Sequence, residues 1–343
     1  MRYKALALQV TCEAVNQCPS HRSAREQMLA SCGRIGRQTR ASKSFIGQDT
    51  RLVVLPEYFL TGFPMGESIP EWQDKACLAP DDPIYQELGD IALSNQVFLS
   101  GNAYELDRHF PNLYFQSSFI LAPDGKCILR YRRLNSMFAP TPHDVWDEYL
   151  RVYGLDAVFP VADTEIGRLA CIASEEILYP EIARCLMMRG AEVFLHSSSE
   201  TGSPLLTQKN VAKLARSIEN IAYTVSANSA GIKGTDIPMS STDGGSKIVH
   251  FEGHVLAEAG PGESMAAHAT LDLAALRAAR LRPGMSNFIA RQRCELFADS
   301  YAGFRAYPAN TLDGKVVPQR QHFAQTLQHT ILRLREQGTI APA

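Results

Sequence analysis

IGRLACIASEEILYPEIARCLMMRGAEVFLH, residues 166–196, decides how this chain folds. Leu169 to Ala173 is a short apolar run of strand length. A polar junction follows at Ser174-Glu175-Glu176. Tyr179 to Arg189 then carries apolar residues at helical spacing, and Val193 to His196 is a second apolar run. Strand, junction, helix and strand in that order belong to an α/β fold. A residue at the end of a strand, just before a helix, is where such enzymes expose a nucleophile. Here that residue is Ser174.

Working outward, similar apolar runs recur at Ala5 to Val10, Leu52 to Leu55, Val97 to Gly101 and Ser118 to Leu121, and later at Thr224 to Ala227, Lys247 to His250 and Ala267 to Leu271. Helical patterns lie between several of them, at Ser20 to Ser42, Pro83 to Ser94 and Asn210 to Asn220. Two strand pairs are joined instead by hairpin turns, Pro123-Asp124-Gly125 and Phe251-Glu252-Gly253, so the sheets are expected to be mixed. Gln319 to Gln337 reads as one more helix, with Phe323, Leu327, Ile331 and Leu332 on one face. The expected organisation is a main domain over residues 1–302 and a C-terminal extension over 303–343.

The chain has 343 residues, is 45% hydrophobic and carries a formal net charge of -2. That balance gives no bulk electrostatic attraction to nucleic acid or to an anionic membrane. No apolar run approaches the length of a membrane span. The start, MRYKALALQVTCEAVNQ, lacks the apolar core and cleavage site of a secretory signal. The eight cysteines form no CxxC pairs, which argues against a disulfide framework or a zinc knuckle. A reduced cytoplasmic protein is expected, with no metal and no cofactor.

The 166–196 stretch resembles the nucleophile segment of the nitrilase, or carbon-nitrogen hydrolase, superfamily, which runs G-R-x-G-x-x-x-C-x-(D/E)-x-x-x-P-E. Gly167, Arg168, Glu176, Pro180 and Glu181 fall in register, and Ser174 fills the cysteine position. LVVLPEYFLTGFP, residues 52–64, is similar to the segment with the general-base glutamate, here Glu57. Asp124-Gly125 followed by Arg130-Tyr131-Arg132-Arg133 resembles D-G…Y-R-K, with Arg133 in the lysine position. Glu148 in VWDEYLRVYG corresponds to a second glutamate that many members keep. RSIEN (216–220), the strand leading to Asn228, GGSKIVHFEGHVLAE (244–258), LDLAALRAAR (271–280) and Arg293 complete the order. The resemblance implies a four-layer α-β-β-α sandwich, assembled as a homodimer or higher homo-oligomer. The helix at Glu181 to Arg189, with Met187 and Met188, is a candidate contact between subunits.

It also implies a reaction: hydrolysis of a non-peptide C–N bond (amide, nitrile or carbamoyl) in a small polar substrate. Attack needs a nucleophile, a base and donors for the developing charge. The candidates are Ser174, Glu57 and Arg133, with Glu148 as a further carboxylate. Tyr58, Glu175, His196, Ser198 and Ser199 are candidate substrate contacts. A serine hydroxyl yields essentially no alkoxide at neutral pH and depends on a strong, aligned base. Arg133 can steady an oxyanion but cannot exchange a proton. Cys171 lies an odd number of residues from Ser174, so in a strand it faces the opposite way and reads as a buried core thiol. Cys185 falls in the following helix and reads the same way. Gly244 to Lys247 reads as a turn before a strand. Three readings stay open: a divergent hydrolase, a catalytically inactive binding protein on the same fold, and an active hydrolase with an engineered Cys→Ser change at Ser174. A fourth, acid–base chemistry by Glu57 or Glu148 directly on substrate or water, is weaker.

Overall fold

Two six-stranded sheets face each other in the computed structural model, which describes residues 1–201 and 206–341. The first sheet runs in the order β14 (His268–Asp272), β1 (Arg2–Ala7), β3 (Thr50–Val54), β4 (Phe98–Leu106), β5 (Tyr114–Leu121) and β6 (Cys127–Arg132). The second runs β13 (Val255–Glu258), β12 (Lys247–Val249), β10 (Tyr223–Ala227), β9 (Val193–Ser197), β8 (Gly167–Ala173) and β7 (Ala162–Thr164). In each sheet three central strands are parallel and the flanking strands antiparallel. Both sheets are therefore mixed, as the hairpin turns predict. A short parallel pair, β2 (Cys12–Glu13) with β11 (Ile232–Lys233), stands apart.

Alternation along the strands builds the layers. Ala5, Ala7, Leu52 and Val54 point into a core shared with Leu169, Cys171, Val193 and Val225 of the opposite sheet. Leu6, Val53 and Leu99 point the other way, onto Met28, Cys32 and Ile35 of α1 (His21–Ile46) and Leu88 of α3 (Pro83–Asn95). A period of two buries both faces of each strand only if helices cover the outside. On the second sheet α5 (Pro180–Met188) and α6 (Gln208–Asn220) supply that cover. The result is the α-β-β-α sandwich. Smaller helices, α2 (Ile69–Ala76), α4 (Trp146–Tyr153), α7 (Leu273–Leu281) and α8 (Glu295–Gly303), fill the connections.

Local chemistry sets the helix starts. Ser20 and Ser23 cap α1 reciprocally, and Thr207 accepts from the Asn210 N–H at 3.1 Å to start α6. Pro180 stands at the first turn of α5, where no N–H is needed. Gly167 is required at the β7–β8 turn: its φ is +111°, and a Cβ would meet Leu273 at 2.4 Å.

The C-terminal helix, α9 (Gln321–Glu336), packs against the first half of the chain. Phe323 is buried in the same cluster as Trp72, Tyr104 and Tyr114. Among the described residues no helix is long and apolar enough to cross a membrane.

Candidate active site

Three strand ends bring the polar groups together. β3 stops at Pro56, which has no N–H to donate, and Glu57 follows, its own N–H bonded to the Ser198 carbonyl at 3.2 Å. Arg133 follows β6, with its N–H on the Gln116 carbonyl at 2.8 Å. Ser174 follows β8 and opens a short 3₁₀ turn, Ser174–Leu178.

Backbone strain marks two of these positions. Five non-glycine residues among those described have positive φ: Tyr58, Gln96, Ser174, Ile221 and Asn310. Gln96 and Ile221 are helix C-caps, and asparagine tolerates this region. Tyr58 at +60° and Ser174 at +48° have neither excuse. Both line one cavity, and strain that the surrounding structure must hold in place is concentrated at functional sites.

The cavity has a volume of about 460 Å³ and is lined by Glu57, Tyr58, Gln116, Arg133, Ser174, Glu175 and Ser199, with Tyr104, Met137 and Phe138 as apolar walls. Arg133 is its central brace. Its Nη1 donates to Gln116 Oε1 at 2.6 Å and to Glu57 Oε1 at 3.2 Å, its Nη2 to Glu175, and its Nε to the Asn135 carbonyl at 2.7 Å. Gln116 Nε2 also donates to Glu57 Oε1, at 2.7 Å. Glu57 Oε2 is buried without a hydrogen bond of ordinary length. The Tyr58 hydroxyl lies beside this carboxylate; burial first, then the Glu57 charge, suppress its ionisation.

Glu176 joins the two sheets beneath the cavity. Its Oε2 accepts from the Tyr131 hydroxyl at 2.6 Å, and its Oε1 from the N–H groups of Leu134 and Asn135 at 2.7 and 2.9 Å. Burial raises its pKa to about 7, while Arg133 and these donors limit the rise. A folded-state pKa above the unfolded value near 4.5 gives stability that is complete below about pH 4.5 and lost as pH rises through 7. Glu176→Gln keeps an acceptor for the two N–H groups and removes the titration. Between pH 4.5 and 7 the native protein is expected to lose on the order of 3 kcal/mol relative to this variant, read from denaturation midpoints of the two against pH. A constant gap across that range would show that Glu176 stays charged throughout.

His196 is not a substrate contact. It is fully buried on β9, with Nε2 on the Ser174 carbonyl and Nδ1 on the Ser226 hydroxyl, both at 2.8 Å. A carbonyl only accepts, so Nε2 carries the proton and the Ser226 hydroxyl donates to Nδ1. Burial, aided by the Lys213 charge, lowers the imidazole pKa to about 3 and keeps it neutral. The histidine positions the strained Ser174 turn. Ser198 is likewise structural, buried outside the cavity lining, with its carbonyl holding the Glu57 N–H. Glu148 is not brought to the site. It lies half exposed on α4 and pairs with Arg151 one turn on, because the amphipathic helix turns that face to solvent.

Cys171 is fully buried in the inter-sheet core, its thiol pKa pushed up to about 12 by burial, so it cannot replace Ser174 as nucleophile. Lys247 pairs with Glu258 at 2.9 Å across the β12–β13 hairpin, and Ser246 is buried behind it. Although no metal is expected, His250, Glu252 and His254 bring ligand atoms within 4.8 Å of one another on that hairpin, outside the cavity.

Three residues that the motifs do not single out complete the site. Gln116 points inward from β5. Arg320, just before α9, lines the cavity and is held by the Phe138 carbonyl at 2.9 Å and the Tyr114 hydroxyl at 3.2 Å. Lys209, in the first turn of α6, places Nζ 3.1 Å from Ser174 Oγ. Lys209, Lys213, Ser217 and Asn220 form a polar stripe at helical spacing, a pattern that in isolation marks a solvated face. Here it faces inward, and Lys213 is fully buried against Glu200.

The carbon-nitrogen hydrolase family model matches residues 14–281. Among curated relatives, a formamidase of Pseudomonas syringae pv. syringae is 27% identical over 256 residues, covering 74% of this chain and 69% of its own. A formamidase of Bradyrhizobium diazoefficiens is 28% identical over 265 residues, covering 74% and 72%. The crystal structure of a carbon-nitrogen hydrolase from Helicobacter pylori superposes with a TM-score of 0.66 at 19% identity, covering 88% of this chain and 99% of that one. Saccharomyces cerevisiae Nit3, of the nitrilase superfamily, gives 0.62 at 21%, covering 81% and 93%. With the motifs in order on the sandwich those structures share, the chain belongs to the carbon-nitrogen hydrolase family.

Proposed function

We propose that this protein hydrolyses a non-peptide C–N bond, in an amide, nitrile or carbamoyl group, of a small polar substrate, with Ser174 as the nucleophile. The observation that carries this reading is the Ser174 turn. A residue at φ +48°, held by a buried neutral histidine, presents its hydroxyl to a cavity of substrate size. Glu57, with one oxygen braced by Gln116 and Arg133 and its carboxylate beside the Tyr58 hydroxyl, is the acid–base group facing the substrate. Arg133 makes four hydrogen bonds to the protein, so its contribution is to hold Glu57 and Glu175 and to keep a positive field at the cavity wall.

A panel of short amides, nitriles and N-carbamoyl compounds, assayed beside Ser174→Ala and Glu57→Gln, tests the reading. Turnover that survives Ser174→Ala unchanged excludes covalent serine catalysis. Ligand binding without turnover of any compound favours a binding protein on the same fold.

Arg320 shapes the choice of substrate. Among the described residues its guanidinium has no acidic partner, and its Nη2 is buried without a hydrogen bond. The two cavity carboxylates are already braced by Arg133. A substrate acceptor, best a carboxylate, therefore suits the Arg320 side. A hydrogen bond to a charged group contributes about 1.5–3 kcal/mol. Arg320→Met is expected to raise KM about tenfold or more for carboxylated amides, with kcat nearly unchanged. Equal effects on neutral and carboxylated amides would remove Arg320 from substrate selection. The reading also includes a homo-oligomer in the cytoplasm: Met187 is core, but Met188 on α5 is exposed beside Cys294. Native mass measurement tests the assembly.

A further inference from the structure

We infer that Lys209 is the base that takes the proton from Ser174, so that the nucleophile works as a serine–lysine dyad assembled across β8 and α6. The inference rests on Ser174 being the nucleophile, and it deepens that reading by naming what makes a hydroxyl reactive here.

Geometry carries it. A base must lie within about 2.6–3.2 Å of the atom whose proton it takes, and Lys209 Nζ stands 3.1 Å from Ser174 Oγ. No other titratable side chain is hydrogen-bonded to that hydroxyl among the described residues. The Arg133 guanidinium is committed to Glu57, Gln116, Glu175 and Asn135, and an arginine does not accept a proton. His196 touches only the Ser174 carbonyl, and its other nitrogen is taken by Ser226. Glu57 makes no hydrogen bond to the Ser174 hydroxyl: its Oε1 is taken up by Gln116 and Arg133, and its carboxylate lies beside the Tyr58 hydroxyl.

The groups around the amine are consistent with the role. Lys213 stands one turn along the same face of α6. Glu200, after β9, binds Lys213 and also feels the Lys209 charge. Lys247 on β12 adds a third amine to the neighbourhood, and His196 on β9 stays neutral. Glu200 thus faces both Lys213 and Lys209, while Lys247 has its own partner in Glu258. Burial and the neighbouring amines bring Lys213 down to about 8 in spite of its pairing with Glu200.

The step balances as follows. Neutral Lys209 accepts the Oγ–H proton as Oγ bonds to the carbonyl carbon. The C–N bond then breaks, and the ammonium returns that proton to the departing nitrogen. Water next attacks the Ser174 ester, giving one proton to Lys209. The C–O bond to Ser174 breaks, Oγ recovers the proton, and the products are a carboxylic acid and an amine or ammonia.

The test needs no knowledge of the substrate. The native chain, Lys209→Met, Lys209→Gln and Lys209→Arg are reacted with a fluorophosphonate probe, and the adduct is followed by intact mass and located by peptide mapping. Melting curves confirm that each variant is folded. The expected result is a single adduct on Ser174. All three variants should slow its formation by about 100-fold or more. Arginine keeps the charge but cannot act as a base. Labelling of Lys209→Arg at the native rate would therefore reduce Lys209 to an electrostatic neighbour and overturn the inference, as would native rates in the Met and Gln variants. If the native protein forms no Ser174 adduct, the inference falls together with the nucleophile assignment. If labelling of Ser174 is independent of Lys209, the inference alone falls.

Discussion

Ser174→Ala is expected to lower kcat by about 10⁴-fold or more while substrate still binds. On the proposed reading the hydroxyl forms the covalent intermediate, and among the described residues no cysteine borders the cavity to replace it: Cys171 is sealed in the core. Ser174→Gly should be equally inactive but more stable than Ser174→Ala. Both lack Oγ, so their difference isolates the backbone. A left-handed φ costs a residue with a Cβ about 1–2 kcal/mol, and glycine returns part of that as lost chain entropy. A net gain of about 1 kcal/mol for glycine over alanine, measured by denaturant titration, would show that the fold maintains this turn against its own stability. Equal stabilities would show that the turn relaxes once the hydroxyl is gone.

Arg133→Met is expected to remove 3–5 kcal/mol of stability, about the cost of leaving a buried charge unpaired. Two carboxylates, Glu57 and Glu175, lose their counter-ion together. Arg133→Lys separates charge from shape. A lysine keeps the positive charge but has no planar fork to reach Gln116, Glu57, Glu175 and the Asn135 carbonyl at once. It should fold, lose less than half as much stability as the methionine variant, and turn over at least about tenfold more slowly, because Glu57 is no longer held. Activity in Arg133→Lys at or above the native level would mean that an amine at this position is a better catalyst than the brace, and that the arginine serves stability alone.

The fold was legible because its signals are local and repeated. Short apolar runs such as Leu52 to Leu55 and Val193 to His196 each became strands, and the Asp124-Gly125 turn closed a hairpin as its residues require. The weakly patterned β7 and the β2–β11 pair were not legible: two or three residues carry too little periodicity. Within the candidate site, Glu57, Arg133, Ser174, Tyr58, Glu175 and Ser199 line one cavity. The misreadings share a cause. Glu148 was assigned by order along the chain, yet solvent claims its face of α4. His196 and Ser198 stand at a strand end near the rim, but strand alternation and backbone pairing turn them inward. Lys209 and Arg320 depend on packing between segments far apart in sequence, so their own residues carry no trace of it.

Arg320 also fixes the order in which the protein can be completed. The strands that form both sheets precede residue 273, while one wall of the cavity comes from a segment made long after them. On the proposed reading, the strand end carrying the nucleophile is therefore made well before the substrate wall. If Arg320 selects the substrate as proposed, specificity is completed last during synthesis, and a single protease cut in the exposed connection between α8 and Arg320 would put it at risk without touching Ser174 or Glu57.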